Sequence, residues 1–99
     1  MSQTEATCEV TGGGWACQAT VTDDRGSSTY EVTIPASGAL RASLPPLADA
    51  GDAERVVRET FAFLLEREPR SSILARFDLT VVERFFPEYP AEIRRRLGR

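Results

Sequence analysis

From Thr7 to Ile34 apolar side chains alternate with polar ones, the period-two pattern of strands that bury one face only. Three strands fit this stretch, at about 6–11, 14–22 and 28–34, separated by Gly12-Gly13 and by a loop around Asp24-Arg25-Gly26-Ser27. Glycine supplies the positive φ that tight turns require. A two-residue loop at Gly12-Gly13 sets Val10 opposite Trp15 and Cys8 opposite Cys17, whereas a four-residue second loop sets Val21 opposite Tyr30 and Ala19 opposite Val32. Both registers place Trp15, Cys17, Ala19, Val21, Tyr30, Val32 and Ile34 on one face, which predicts the core side of the sheet. The opposite face, Glu9, Gln18, Thr20, Thr22, Thr29, Glu31 and Thr33, is expected to be wet or to bind something.

Residues 35–52 are rich in Pro, Ala, Gly and Ser and read as a connection, pinned to the core by Leu40, Leu44 and Leu47. Asp52 is a plausible N-cap for a helix over about 53–67, with Val57, Phe61, Leu64 and Leu65 at helical spacing until Pro69 stops it. Val56 and Phe63 lie off that stripe, so this helix is expected to bury two sides. Beyond Pro69, Ser71–Phe77 reads as a short helix, Thr80-Val81-Val82-Glu83 as a capping box opening another, and Pro90 as the start of a last one. The expected class is therefore α+β, a three-stranded antiparallel meander packed by one longer helix and two or three short C-terminal helices. The chain is expected to form a single domain over 1–99, with 1–5 and 97–99 frayed.

The chain has 12 basic residues, all of them Arg, against 15 acids, and it lacks His, Lys and Asn. No imidazole base or ligand, Schiff-base lysine or P-loop lysine is therefore on hand, which removes most familiar enzyme mechanisms. A net charge of −3 also argues against a general polyanion binder. The charge is uneven: residues 1–50 hold six acids and two Arg, and residues 51–99 hold nine acids and ten Arg. No run approaches the ~20 consecutive apolar residues of a membrane span, and the first residues lack a basic start and an apolar signal core, so the expected location is the cytoplasm.

The run FAFLLEREPRSSILARFDLTVVERFFPEY, residues 61–89, resembles a pattern found in small bacterial proteins that carry a Trp-containing hairpin ahead of it. The resemblance spans about 15–93 and implies a bacterial source, with no activity attached to particular residues.

Among candidate sites, Cys8 and Cys17 are the most suggestive, because the register opposes them at a non-hydrogen-bonded position where a cross-strand disulfide is geometrically open. In a reducing cytoplasm the expected state is two small thiols. Two thiolates without His do not complete a zinc site. Gly12-Gly13-Gly14 leads into a strand rather than a helix and reads as a turn, not a phosphate cradle. Asp23 and Asp24 lack EF-hand spacing and read as a solvated turn, while Glu54 and Arg58 are spaced for an intrahelical pair. The segment SSILARFDLTVVERFF suggests helix-turn-helix, but Arg84 stands there among bulky apolar groups, a poor recognition helix. Phe85, Phe86 and Tyr89 are candidates for a protein-binding patch if exposed, with core packing as the competing reading. Arg94, Arg95, Arg96 and Arg99 are candidates for nucleic-acid contact.

These features favour an accessory or regulatory protein that binds another protein or a second copy of itself. Tyr30 and Val32 lie on a third strand without the Pro or Lys that commonly protects an edge, so strand pairing across a homodimer is the expected mode. An antitoxin-like regulator that contacts nucleic acid through the C-terminal Arg residues is the alternative. An enzyme ranks last, and no cofactor, metal, membrane or small-molecule substrate is expected.

Overall fold

A computed structural model describes residues 2–12 and 14–98; Gly13 of the first turn and Arg99 of the basic tail lie outside them. The alternating stretch forms β1 (Gln3–Val10), β2 (Trp15–Asp23) and β3 (Gly26–Ile34), an antiparallel meander. β1 therefore starts at Gln3, inside the segment expected to fray. Cys8 pairs with Cys17 and Val10 with Trp15, as the sequence predicts, although the connection runs from Thr11 to Gly14 and is closed by the Thr11 amide donating to the Gly14 carbonyl at 2.9 Å. Gly14 is dictated by proximity: a Cβ there would lie 2.5 Å from the Ile34 carbonyl oxygen.

The second hairpin corrects the expected register. Only Asp24 and Arg25 lie between the strands, so Ala19 pairs with Tyr30 and Cys17 with Val32, a slip of two from the predicted pairing. The chain reverses this tightly because Asp23 Oδ1 accepts the Arg25 amide at 2.8 Å and Gly26 takes φ +138°. A slip of two keeps every side chain on its face. Trp15, Cys17, Ala19, Val21, Tyr30, Val32 and Ile34 are all buried as expected, and the Thr-rich opposite face remains at the surface.

The sheet has a fourth strand that the sequence reading does not contain. Ser71–Phe77 is not a helix: a single 3-10 turn at Arg70–Ser72 leads into β4 (Arg76–Asp78), which runs parallel to β3 with Val32 opposite Phe77. The Glu31 amide donates to the Ala75 carbonyl at 2.8 Å. The sheet is thus mixed, in the order β1-β2-β3-β4, and the parallel pair is joined by a long helical crossover, as parallel strands require.

That crossover contains α1 (Ala39–Ser43) and α2 (Ala50–Leu65). Leu40 and Leu44 of the connection are buried and Leu47 is partly so, but a short helix takes the place of plain coil. The N-cap of α2 is Asp49 rather than Asp52; its Oδ1 accepts the Asp52 amide at 3.0 Å. The helix buries two sides, as Val56 and Phe63 suggest, together with Val57, Phe61 and Leu64. α3 (Leu79–Phe85) is likewise capped earlier than expected, by Asp78, whose Oδ1 accepts from both the amide and the hydroxyl of Thr80. α4 (Tyr89–Arg96) carries Pro90 in its first turn and ends on buried Leu97. No helix among the described residues is long and apolar enough to cross a membrane.

The helices cover one face of the sheet, with α2 lying mainly along β1 and touching α4 on its other side. Phe61 joins the layers, its ring 5.0 Å from Tyr30 and 6.0 Å from Phe77.

Candidate functional site

The most distinctive surface feature is an apolar groove at the β4 end of the molecule. It forms because β4 is short and α3 follows it directly, leaving the segment from Ile73 to Phe77, the face of α3 and the end of α2 around a hollow of about 390 Å³. Ile73, Phe77 and Val82 form the buried floor, and Leu74 and Phe85 stand at the surface, 55% and 67% exposed. The polar residues in the lining are Glu68 and Ser72. Glu68 has no side-chain partner among the described residues, although its backbone amide continues the end of α2 by donating to the Leu64 carbonyl at 2.9 Å.

The three aromatics that the sequence groups together are separated by the fold. Phe85 is exposed; Phe86 is half-buried, its ring 5.7 Å from Phe63 and edge-on to it; Tyr89 is fully buried. The Thr60 hydroxyl donates to the Val56 carbonyl at 2.8 Å, so its bond to the Tyr89 hydroxyl at 2.7 Å is one in which Tyr89 donates. Burial pushes the Tyr89 phenol up from its ordinary value. Tyr89 is a core residue, and Phe85 belongs to the surface.

Tyr30 and Val32 do not form an open patch either, since both side chains are buried and Glu31–Thr33 are already paired with β4. The hairpin end of β3 is closed by Arg70. Its guanidinium holds Asp23 bidentately at 3.0 and 3.2 Å and donates to Ser28 Oγ, while its carbonyl accepts from the Tyr30 hydroxyl at 2.7 Å. The Arg70 hydrogen bond holds the Asp23 carboxyl below its ordinary range. Asp23 is therefore half of an ion pair, not the free solvated turn residue the sequence suggests.

Of the C-terminal arginines, Arg96 donates to both oxygens of Glu66 at 2.7 and 2.8 Å and to Glu92 at 3.0 Å, and Arg95 is hydrogen-bonded to Glu92. These contacts lower the Glu66 carboxyl, mainly through Arg96, and the Glu92 carboxyl, mainly through Arg95. Arg94 is exposed. The tail is mostly an internal ion-pair network joining α4 to the end of α2.

Cys8 and Cys17 form a disulfide, with their Cα atoms 4.1 Å apart, which replaces the expected pair of thiols. The close approach follows from the non-hydrogen-bonded position, where opposed residues lie nearest. At such a position the Cys8 amide points out of the sheet, and Glu54 Oε2 accepts it at 3.0 Å. Glu54 therefore serves the strand instead of pairing with Arg58.

Sequence reasoning missed the groove itself. The sequence places Ile73, Leu74 and Phe77 in a short helix, and a local signal against it is Asp78, a cap residue immediately before an apolar run. No group of three or more metal-ligating side chains gathers among the described residues. No protein-family model, no curated protein and no solved structure matches this chain.

Proposed function

We propose that the protein is a small binding module whose β4-side groove receives a segment of a partner protein carrying large apolar side chains and a Lys or Arg. The observation that carries this reading is the exposure of Phe85 and Leu74 beside an apolar hollow. Exposed apolar side chains contiguous with an apolar hollow mark a protein contact, and aromatic residues are common among its anchors. The basic residue follows from Glu68, a carboxylate in that lining with no side-chain partner among the described residues. No chemistry is required of the site, in keeping with a regulatory or accessory role. A cytoplasmic setting belongs to this proposal, and there the Cys8–Cys17 bond would be reversible rather than permanent.

Strand pairing across the β3 edge, the mode the sequence favours, is not carried forward because β4 pairs with Glu31–Thr33 and Arg70 lies across the hairpin end. Among the described residues nucleic-acid contact would rest on Arg94, since Arg95 and Arg96 are engaged by carboxylates; Arg99 lies outside them.

Selection of displayed random peptides on the immobilised wild-type chain tests the groove. The expected yield is a motif with an aromatic or aliphatic anchor and a basic residue at fixed spacing. Phe85→Glu should weaken binding by at least about tenfold, as loss of a buried anchor does, with the unfolding midpoint unchanged because the side chain is exposed. Glu68→Lys should shift the selected motif from basic to acidic. Peptides that bind Phe85→Glu as well as wild type would overturn the reading.

A further inference from the structure

We infer that Cys8–Cys17 is a reversible thiol–disulfide site that latches β1 onto the sheet, so that a dithiol reductant frees this strand while the rest of the fold persists. The inference starts from how little large apolar burial holds β1. Its inward side chains are Thr4, Ala6, Cys8 and Val10; the first three are small and only half-buried, and Val10 is 67% exposed. In contrast, β2 and β3 each bury several side chains to within a few per cent of complete exclusion. No residue of β1 belongs to the buried core cluster, and Ala6 and Cys8 are merely packed against it. What remains is the hydrogen-bonded ladder to β2, the packing of small groups against α2, the Glu54 bond to the Cys8 amide, and the disulfide.

The two cysteines differ in exposure. Cys17 is 6% exposed and Cys8 is half-buried next to exposed Val10, so an incoming thiolate reaches the Cys8 sulfur. Attack forms a mixed disulfide on Cys8 and releases Cys17 as a thiolate, which takes up a proton. The second thiol of the reductant then displaces Cys8, which is protonated in turn. The reductant loses two electrons and two protons and becomes a disulfide; Cys8 and Cys17 gain them and become thiols. With the latch open, the opening of β1 uncovers the backbone edge of β2, whose partner it was.

Amide hydrogen exchange on the full chain, with and without a phosphine reductant, tests the proposal. The expected result is at least tenfold faster exchange across Gln3–Val10 on reduction, with Tyr30–Ile34 and the core of α2 changing far less. The Cys8→Ser, Cys17→Ser double variant should show the reduced pattern without any reductant. Acid quenching early in reduction by a dithiol should trap the reductant as a mixed disulfide on Cys8, with Cys17 as the free thiol. Equal acceleration across β1, β3 and α2 would overturn the inference by showing that the bond supports the whole fold. Unchanged exchange in β1 would overturn it by showing that the strand needs no latch. A double variant that fails to fold counts with the first of these outcomes.

Discussion

At the β3 margin of the sheet the chain returns, after the whole of α1 and α2, to lay down β4 with Phe77 opposite Val32 and its ring beside Phe61. At the β1 margin no large side chain is buried, and the strand is fastened by a covalent bond and by Glu54 reaching to one outward amide. The two margins differ in backbone pattern, an antiparallel ladder along the whole of β1 against a short parallel pairing at β4, and they differ also in what they depend on. One is secured by apolar burial, which is insensitive to redox state and ties the strand to the global fold. The other is secured by groups whose strength depends on thiol chemistry and local hydrogen bonding, so it is the margin that solution conditions can change.

The contrast is most easily broken at Phe77. Phe77→Ala removes a buried ring from between β4 and α2 and is expected to cost about 3–5 kcal/mol in denaturant unfolding. A loss below about 1 kcal/mol, the scale of a surface substitution, would make β4 an appendage and the comparison false. Next in size is loss of the disulfide. A loop closed between residues nine apart contributes about 2.5 kcal/mol in the chain-entropy account. Calorimetry of the oxidised and reduced chain should show a smaller drop than Phe77→Ala, as expected if reduction loosens one strand.

Glu54→Ala sharpens the comparison at the β1 margin. Faster exchange at the Cys8 amide is expected, with the global midpoint close to wild type, because the substitution frees one outward amide and keeps a good helix former. Slowest to show is the ionic clasp at the other margin. Arg70 depresses the Asp23 carboxyl below its ordinary value of 3.8, so the pair stabilises the fold above the carboxylate range and is lost as pH falls through the depressed value. Asp23→Asn should therefore lower stability at neutral pH, where the ion pair is present, and converge on wild type as pH falls below the carboxylate range, which flattens part of the acid side of the profile. Glu66 and Glu92, lowered by Arg96 and Arg95, contribute in the same direction in both proteins.

The groove was legible only in pieces. The sequence groups Phe85 and Phe86 with Tyr89 as candidates for a surface patch, and nothing local distinguishes the three. Their fates are decided by which side of α3 and α4 meets α2: Thr60 offers Tyr89 a hydroxyl in the core, whereas Phe85 has no such neighbour and projects. The capping residues were misplaced for a related reason. Asp49 and Asp52 are both acceptable N-caps, as are Asp78 and Thr80, and each choice depends on where the preceding chain has been delivered.

The amino-acid order alone determined the three-strand meander, its buried face, the opposition of Cys8 to Cys17 and the long helix with two apolar sides. All of these follow from periodicity and turn chemistry within a few residues of one another. The tertiary structure decided that Arg76–Asp78 becomes a strand against β3, that Arg70 reaches back to Asp23, and that Phe85 is left out while Tyr89 goes in. Each of these joins residues 29 to 47 positions apart or depends on such a contact. A parallel pairing or a long-range ion pair has no local period, because its partners meet only after the helices have brought them there.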